Sequence, residues 1–139
     1  MKAKLTMQQY EMITSLGKKY IPELCPENVR KFDVGKCFDA SMWNAIYHPE
    51  YKYVEGIVLI HGQLRWRLHA WLTDGVYAYD PTWKADNNGK DVPIPAEYIG
   101  IEMDTKDAAK FMRATGYQGV IANAWRDPAL AETAIRSCL

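Results

Sequence analysis

Residues 69–80 read HAWLTDGVYAYD. Asp74-Gly75 favours a two-residue type I′ turn, because both central positions of that turn need positive φ, and runs with strand character flank it. Folding about this dipeptide sets Thr73 opposite Val76, Leu72 opposite Tyr77, Trp71 opposite Ala78, Ala70 opposite Tyr79 and His69 opposite Asp80. Directly opposed residues on one face have Cβ atoms only about 4.5–5.5 Å apart, so the His69 imidazole can hydrogen-bond to the Asp80 carboxylate. Alternation then places Arg65, Arg67, His69 and Trp71 on one face. Trp66, Leu68, Ala70 and Leu72, joined by Tyr77 and Tyr79, form the other, which is the core face.

Upstream, residues 53–60, YVEGIVLI, are β-branched and apolar enough for a central strand, and a His61-Gly62-Gln63 turn leads into residues 65–73. With residues 76–80 they make a three-stranded antiparallel meander. Residues 6–19 read as a helix with Thr6 as N-cap. Residues 21–35, with two prolines and a closing Gly35, read as a connecting loop. From Cys37 to Tyr47 an apolar stripe of Phe38, Met42, Ala45 and Ile46 predicts a helix ended by His48-Pro49. Cys37 therefore belongs to a helical first turn. The stretch KADNNGKD, residues 84–91, is a surface loop, and Pro93 and Pro95 keep the following residues extended. A short strand around residues 98–103, a helix from about 105 to 114 capped by Gly116, and a last helix starting at Asp127-Pro128 complete the order. Helices, an antiparallel meander and helices again make an α+β architecture.

At 139 residues the chain is read as a single domain able to bury its own core. Lysine and arginine number 17, as do aspartate and glutamate, so no basic excess draws a phosphate backbone and nucleic acid is not expected as a partner. The N-terminus lacks the apolar core of a secretory signal, and no run of about 18 apolar residues could span a bilayer. A cytoplasmic protein without a membrane partner is expected. Cys25, Cys37 and Cys138 are odd in number and show no CxxC spacing, against both a disulfide framework and a cysteine-rich zinc site.

A thiol is a poor nucleophile until ionised, and the first turn of a helix favours the thiolate because backbone N–H groups and the positive dipole end point toward it. His69 can take the thiol proton and return it to a leaving group, while Asp80 fixes the ring tautomer and stabilises its charged form. The backbone N–H of Cys37 is one candidate donor to a tetrahedral oxyanion. Plainer readings stand beside these. Cys37 can be core filler, His69 and Asp80 a structural cross-strand pair, and Cys37, His69, Asp80 and Cys25 a zinc set of uncommon spacing. Arg65 and Arg67 suit either a substrate carboxylate or phosphate or a solvated strand edge. Trp71 and Trp83 suit either an acyl-binding groove or packing. Glu55 interrupts its strand, facing either a site or solvent.

Gly35-Lys36-Cys37 at a helix start, then His69-Ala70-Trp71, then Asp80-Pro81-Thr82-Trp83, resembles the Cys, His-Ala-Trp, Asp-Pro-Thr-Trp pattern of transglutaminase-like cysteine enzymes with a papain-type core. Tyr53-Val54-Glu55-Gly56 and Glu97-Tyr98-Ile99-Gly100 resemble small bacterial and phage members of that superfamily. The resemblance covers mainly residues 35–83. It implies a nucleophile helix packed on an antiparallel sheet, with Cys37 as nucleophile, His69 as base and Asp80 as orienter. Trp71, Trp83 and Arg67 are the expected substrate contacts, and no metal or cofactor is called for. The chain is short, with no recognisable substrate-binding domain and no calcium-site motif. Hydrolysis of an amide, peptide, isopeptide or ester bond, or deamidation of glutamine, on a protein or peptide-like substrate is therefore the leading expectation. The competing one is an inactive binding module, such as a phage-type inhibitor of a host factor.

Overall fold

A computed structural model describes residues 4–33, 35–82 and 96–139. Helix α1 (Met7–Leu16) starts at Thr6, whose hydroxyl accepts from Gln9 N while the Gln9 side chain returns to Thr6 N. This capping box satisfies two donors that the first turn would otherwise leave open. Strand β1 (Lys18–Glu23) follows at once. Helix α2 (Cys37–Tyr47), strands β2 (Lys52–Ile60), β3 (Arg67–Thr73), β4 (Tyr77–Tyr79) and β5 (Ala96–Met103), and helices α3 (Thr105–Thr115) and α4 (Pro128–Arg136) complete the order. The chain is α+β.

β2, β3 and β4 form the expected antiparallel meander. The sheet does not stay open. β5 pairs antiparallel with β2 along its whole length, and β1 bridges β5 to β4, closing a barrel in the order β1-β4-β3-β2-β5. The first helix ends at Leu16 rather than at residue 19, and β1 takes residues 18 and 19 together with the start of the segment expected to be a loop. Residues 18–20 pair with β5 and residues 21–23 run parallel to β4. Each half of β1 thus has one ladder, and Pro22, which brings no N–H, sits in a half that needs few donors.

The β3–β4 turn also departs from expectation. Leu72 pairs with Tyr79, not Tyr77, so the register is displaced by two residues. A type I′ turn needs positive φ at both central residues. Here Gly75 alone supplies it, at φ 111°, and no non-glycine among the described residues has positive φ. Asp74 instead folds its carboxylate over the loop, accepting from Val76 N at 2.9 Å, Tyr77 N at 3.0 Å and the Tyr79 hydroxyl at 3.0 Å. Because side chains alternate with period two, a two-residue displacement keeps every side chain on its expected face.

Closure changes what those faces are. Ala70, Leu72 and Tyr79 join Ile13, Met42, Phe111 and Ile135 in a core between barrel and helices. The opposite face, assigned to Arg67, His69 and Trp71 and to whatever the histidine serves, is the barrel interior, where Tyr20, Val54, Val58, Trp71, Ala78 and Tyr98 pack together. Both faces of the central strands are therefore buried. Room for this is made by glycine: Gly56 and Gly100 stand opposite each other on β2 and β5. A Cβ at Gly56 would meet Ile99 O at 2.1 Å, and one at Gly100 would meet the Trp71 ring at 2.6 Å.

Candidate active site

Helix α2 begins at Cys37, as the hydrophobic stripe predicts. Its N-cap, Lys36, makes no side-chain capping bond, whereas Thr6, Asp104 and Asp127 cap the other three helices with side-chain oxygens. The first-turn N–H groups of α2 keep their positive end turned toward the Cys37 region. Cys37 is 7% exposed, and it is close enough to the His69 imidazole to help raise it.

His69 projects from the interior face of β3, at the end of the barrel where β3 begins and β4 ends. Its Nε2 stands 2.5 Å from Asp80 Oδ2. The contact survives the displaced register because Asp80 lies diagonally across from His69, a separation that long side chains bridge. A carboxylate only accepts, so Nε2 carries the hydrogen. Nδ1 is left to exchange a proton with Cys37. The ring is 29° from parallel with Trp71, their centroids 6.3 Å apart.

Asp80 is 2% exposed, and four hydrogen bonds from described residues converge on it. Oδ1 accepts from Thr82 N at 3.0 Å and Thr82 Oγ1 at 2.7 Å, while Oδ2 accepts from His69 and from the Tyr98 hydroxyl at 3.0 Å. Burial alone would raise this carboxyl, but the His69 charge and the hydrogen bonds from His69 and Thr82 outweigh it and hold it below the ordinary value of 3.8. Burial likewise opposes the charge on His69; Asp80 and then Cys37 overcome it and raise the imidazole to about 10.

Other expectations distribute as follows. Arg67 is exposed on the same strand face as His69, two residues away, and Arg65 is exposed in the preceding turn. Trp71 is wholly buried, packed edge-on against Tyr20 and Tyr98, and so takes the packing role rather than lining a groove. Trp83, the loop at residues 84–91, Pro93 and Pro95 lie outside the described residues. Among the described residues no three His, Cys, Asp or Glu side chains are placed to hold a metal ion. A groove of about 830 Å³ between α2 and α3, lined by Met42, Ala45, Ile46, Met103, Lys110 and Met112 among others, contains none of the three site residues. Among the described residues no helix is long and apolar enough to cross a membrane.

Tyr98 went unread in the sequence as a site residue, and Glu55 was singled out there without its partners. Tyr98 reaches Asp80 from β5, a contact that depends on barrel closure. Glu55, 2% exposed, accepts from Tyr53 Oη at 2.6 Å, Val120 N at 2.8 Å and Ile121 N at 2.9 Å. It faces neither solvent nor the triad but ties β2 to the segment after α3. Burial pushes its carboxyl up, and the three donors pull it only part of the way back. A lone polar residue in an apolar strand was the available signal.

Comparison with protein-family models, with curated proteins and with solved structures returned no match.

Proposed function

We propose that the chain is a cysteine-dependent acyl-transfer enzyme with a papain- or transglutaminase-like core, in which Cys37, His69 and Asp80 form the catalytic triad. The observation that carries this reading is the convergence of a helix-start thiol, an imidazole held through Nε2, and a buried carboxylate whose two oxygens are hydrogen-bonded by protein donors. In the reaction, His69 Nδ1 takes the thiol proton and the Cys37 sulfur attacks the acyl carbon. The oxyanion formed is met by first-turn N–H groups of α2, which lack a capping side chain. Collapse of the tetrahedral adduct breaks the bond to the leaving amine or alcohol, which receives the proton from the imidazolium and leaves a thioester. Water then gives a proton to His69 as its oxygen attacks the thioester. The acid is released and the thiol is restored. Peptide-like amides, glutamine side chains or esters are the substrate class, and no cofactor enters any step.

A second reading has one observation in its favour: at 7% exposure the Cys37 thiol is nearly covered, as an inert core cysteine would be. On that reading the chain is a binding module that keeps the fold without the activity. An electrophilic probe carrying an acyl-like recognition group, applied near neutral pH with peptide mapping, separates the two. The enzyme reading predicts stoichiometric labelling at Cys37, with Cys25 and Cys138 labelled far more slowly. Cys37→Ala should lose both labelling and turnover with an unchanged melting temperature. Labelling spread over Cys25 and Cys138 with Cys37 untouched would overturn it.

A further inference from the structure

We infer that Tyr98 is a positioning residue for the triad, holding Asp80 Oδ2 against His69 Nε2 from the far side of the barrel. This rests on the triad reading above. Thr82 secures only Oδ1, through its N–H and hydroxyl, so the carboxylate could still pivot about that oxygen. The Tyr98 hydroxyl, 3.0 Å from Oδ2, removes that freedom. Tyr98 is 1% exposed, with its ring edge-on to Trp71 at 5.0 Å and 6.4 Å from the His69 ring. Two packed aromatic neighbours leave the phenol little room to swing, and a hydroxyl on a fixed ring is a more rigid donor than one on a flexible side chain. The opposing consideration is electrostatic. Tyr98 shares Oδ2 with His69, and a second donor draws charge away from the imidazolium. Positioning and charge withdrawal predict opposite signs, which makes the assignment testable.

Tyr98→Phe removes the oxygen and keeps the ring. If Tyr98 positions Asp80, the variant should stay folded, with a lowered melting temperature from the lost donor, while the His69 pKa, followed by NMR of the ring carbons, moves down. Alkylation of Cys37 by iodoacetamide near pH 6 should slow about three- to tenfold, the scale of one hydrogen bond. In an Asp80→Asn background the same substitution should add no further change, because its route runs through Asp80. As a measurement needing no change at Tyr98, the Tyr98 Cζ resonance should shift between the wild-type protein and Asp80→Asn. An unchanged or raised His69 pKa, or an undiminished effect in the Asp80→Asn background, would overturn the proposal. Alkylation of Cys37 in the wild-type protein no faster than that of Cys25 and Cys138 would instead sink the triad reading, while the His69 titration still reports on Tyr98 and Asp80.

Discussion

Asp80 stays ionised in a site that water hardly reaches because the protein replaces its hydration with donors from Thr82, Tyr98 and His69. The charge then reaches His69 across a 2.5 Å contact, and each group's shifted titration has a consequence for stability. Asp80 lies below its unfolded value of 3.8, so its contribution is present above that value and lost as pH falls through the depressed one. His69 is raised from 6.5 to about 10, so its contribution is complete below 6.5 and disappears as pH climbs toward about 10. Both are complete between about pH 4 and 6.5. Glu55, raised by burial, works in the other sense above 4.5, so the pair is best isolated as a difference. Urea unfolding of the wild-type protein and Asp80→Asn should show their largest gap in that window, narrowing in acid and again toward pH 10. A gap independent of pH would mean that the pair is uncharged. In turnover, Asp80→Asn should cost a factor of up to about 10⁴ by analogy with serine triads, without loss of substrate binding.

At the scale of elements, helix starts and the strands of the meander were readable because their signals are local. Thr6, Asp127-Pro128 and Gly116 mark helix ends through hydrogen bonds made within a few residues. The start of α2 at Cys37 and the cores of β2 and β3 follow from apolar spacing alone. The β3–β4 register was not readable from Asp74-Gly75, because the Asp74 carboxylate organises the loop in a way a two-residue turn does not use. The face assignment nonetheless held, since the displacement is even. The glycines on β2 and β5 supply a sharper test of how these strands meet. At Gly100 an added methyl meets side-chain atoms of Trp71 and Val54, both in the packed interior, so Gly100→Ala should cost about 1–3 kcal/mol through overpacking. At Gly56 it meets the backbone of Ile99 and Gly100, which cannot turn aside. Gly56→Ala should therefore be the more destabilising of the two in urea denaturation. The reverse order would place the β2–β5 contact elsewhere.

For the whole molecule, what the sequence did not disclose is closure. β1 meets β4 and β5 across more than fifty residues of chain, and such pairings leave no periodic trace. Their effect on the site is nevertheless direct. Closure packs the Trp71 face into the barrel interior, and it brings Tyr98 onto Asp80. The three residues assigned to catalysis come from a helix start, a strand and the end of the neighbouring strand. The central claim is that this assembly holds Cys37 and His69 as a thiolate–imidazolium pair. The pH dependence of iodoacetamide alkylation at Cys37, with attachment confirmed by mass spectrometry, measures it directly in the wild-type protein and in His69→Ala. The pair predicts alkylation that stays fast below neutral pH in the wild-type protein and is much slower there in the variant. Two superimposed profiles would contradict it.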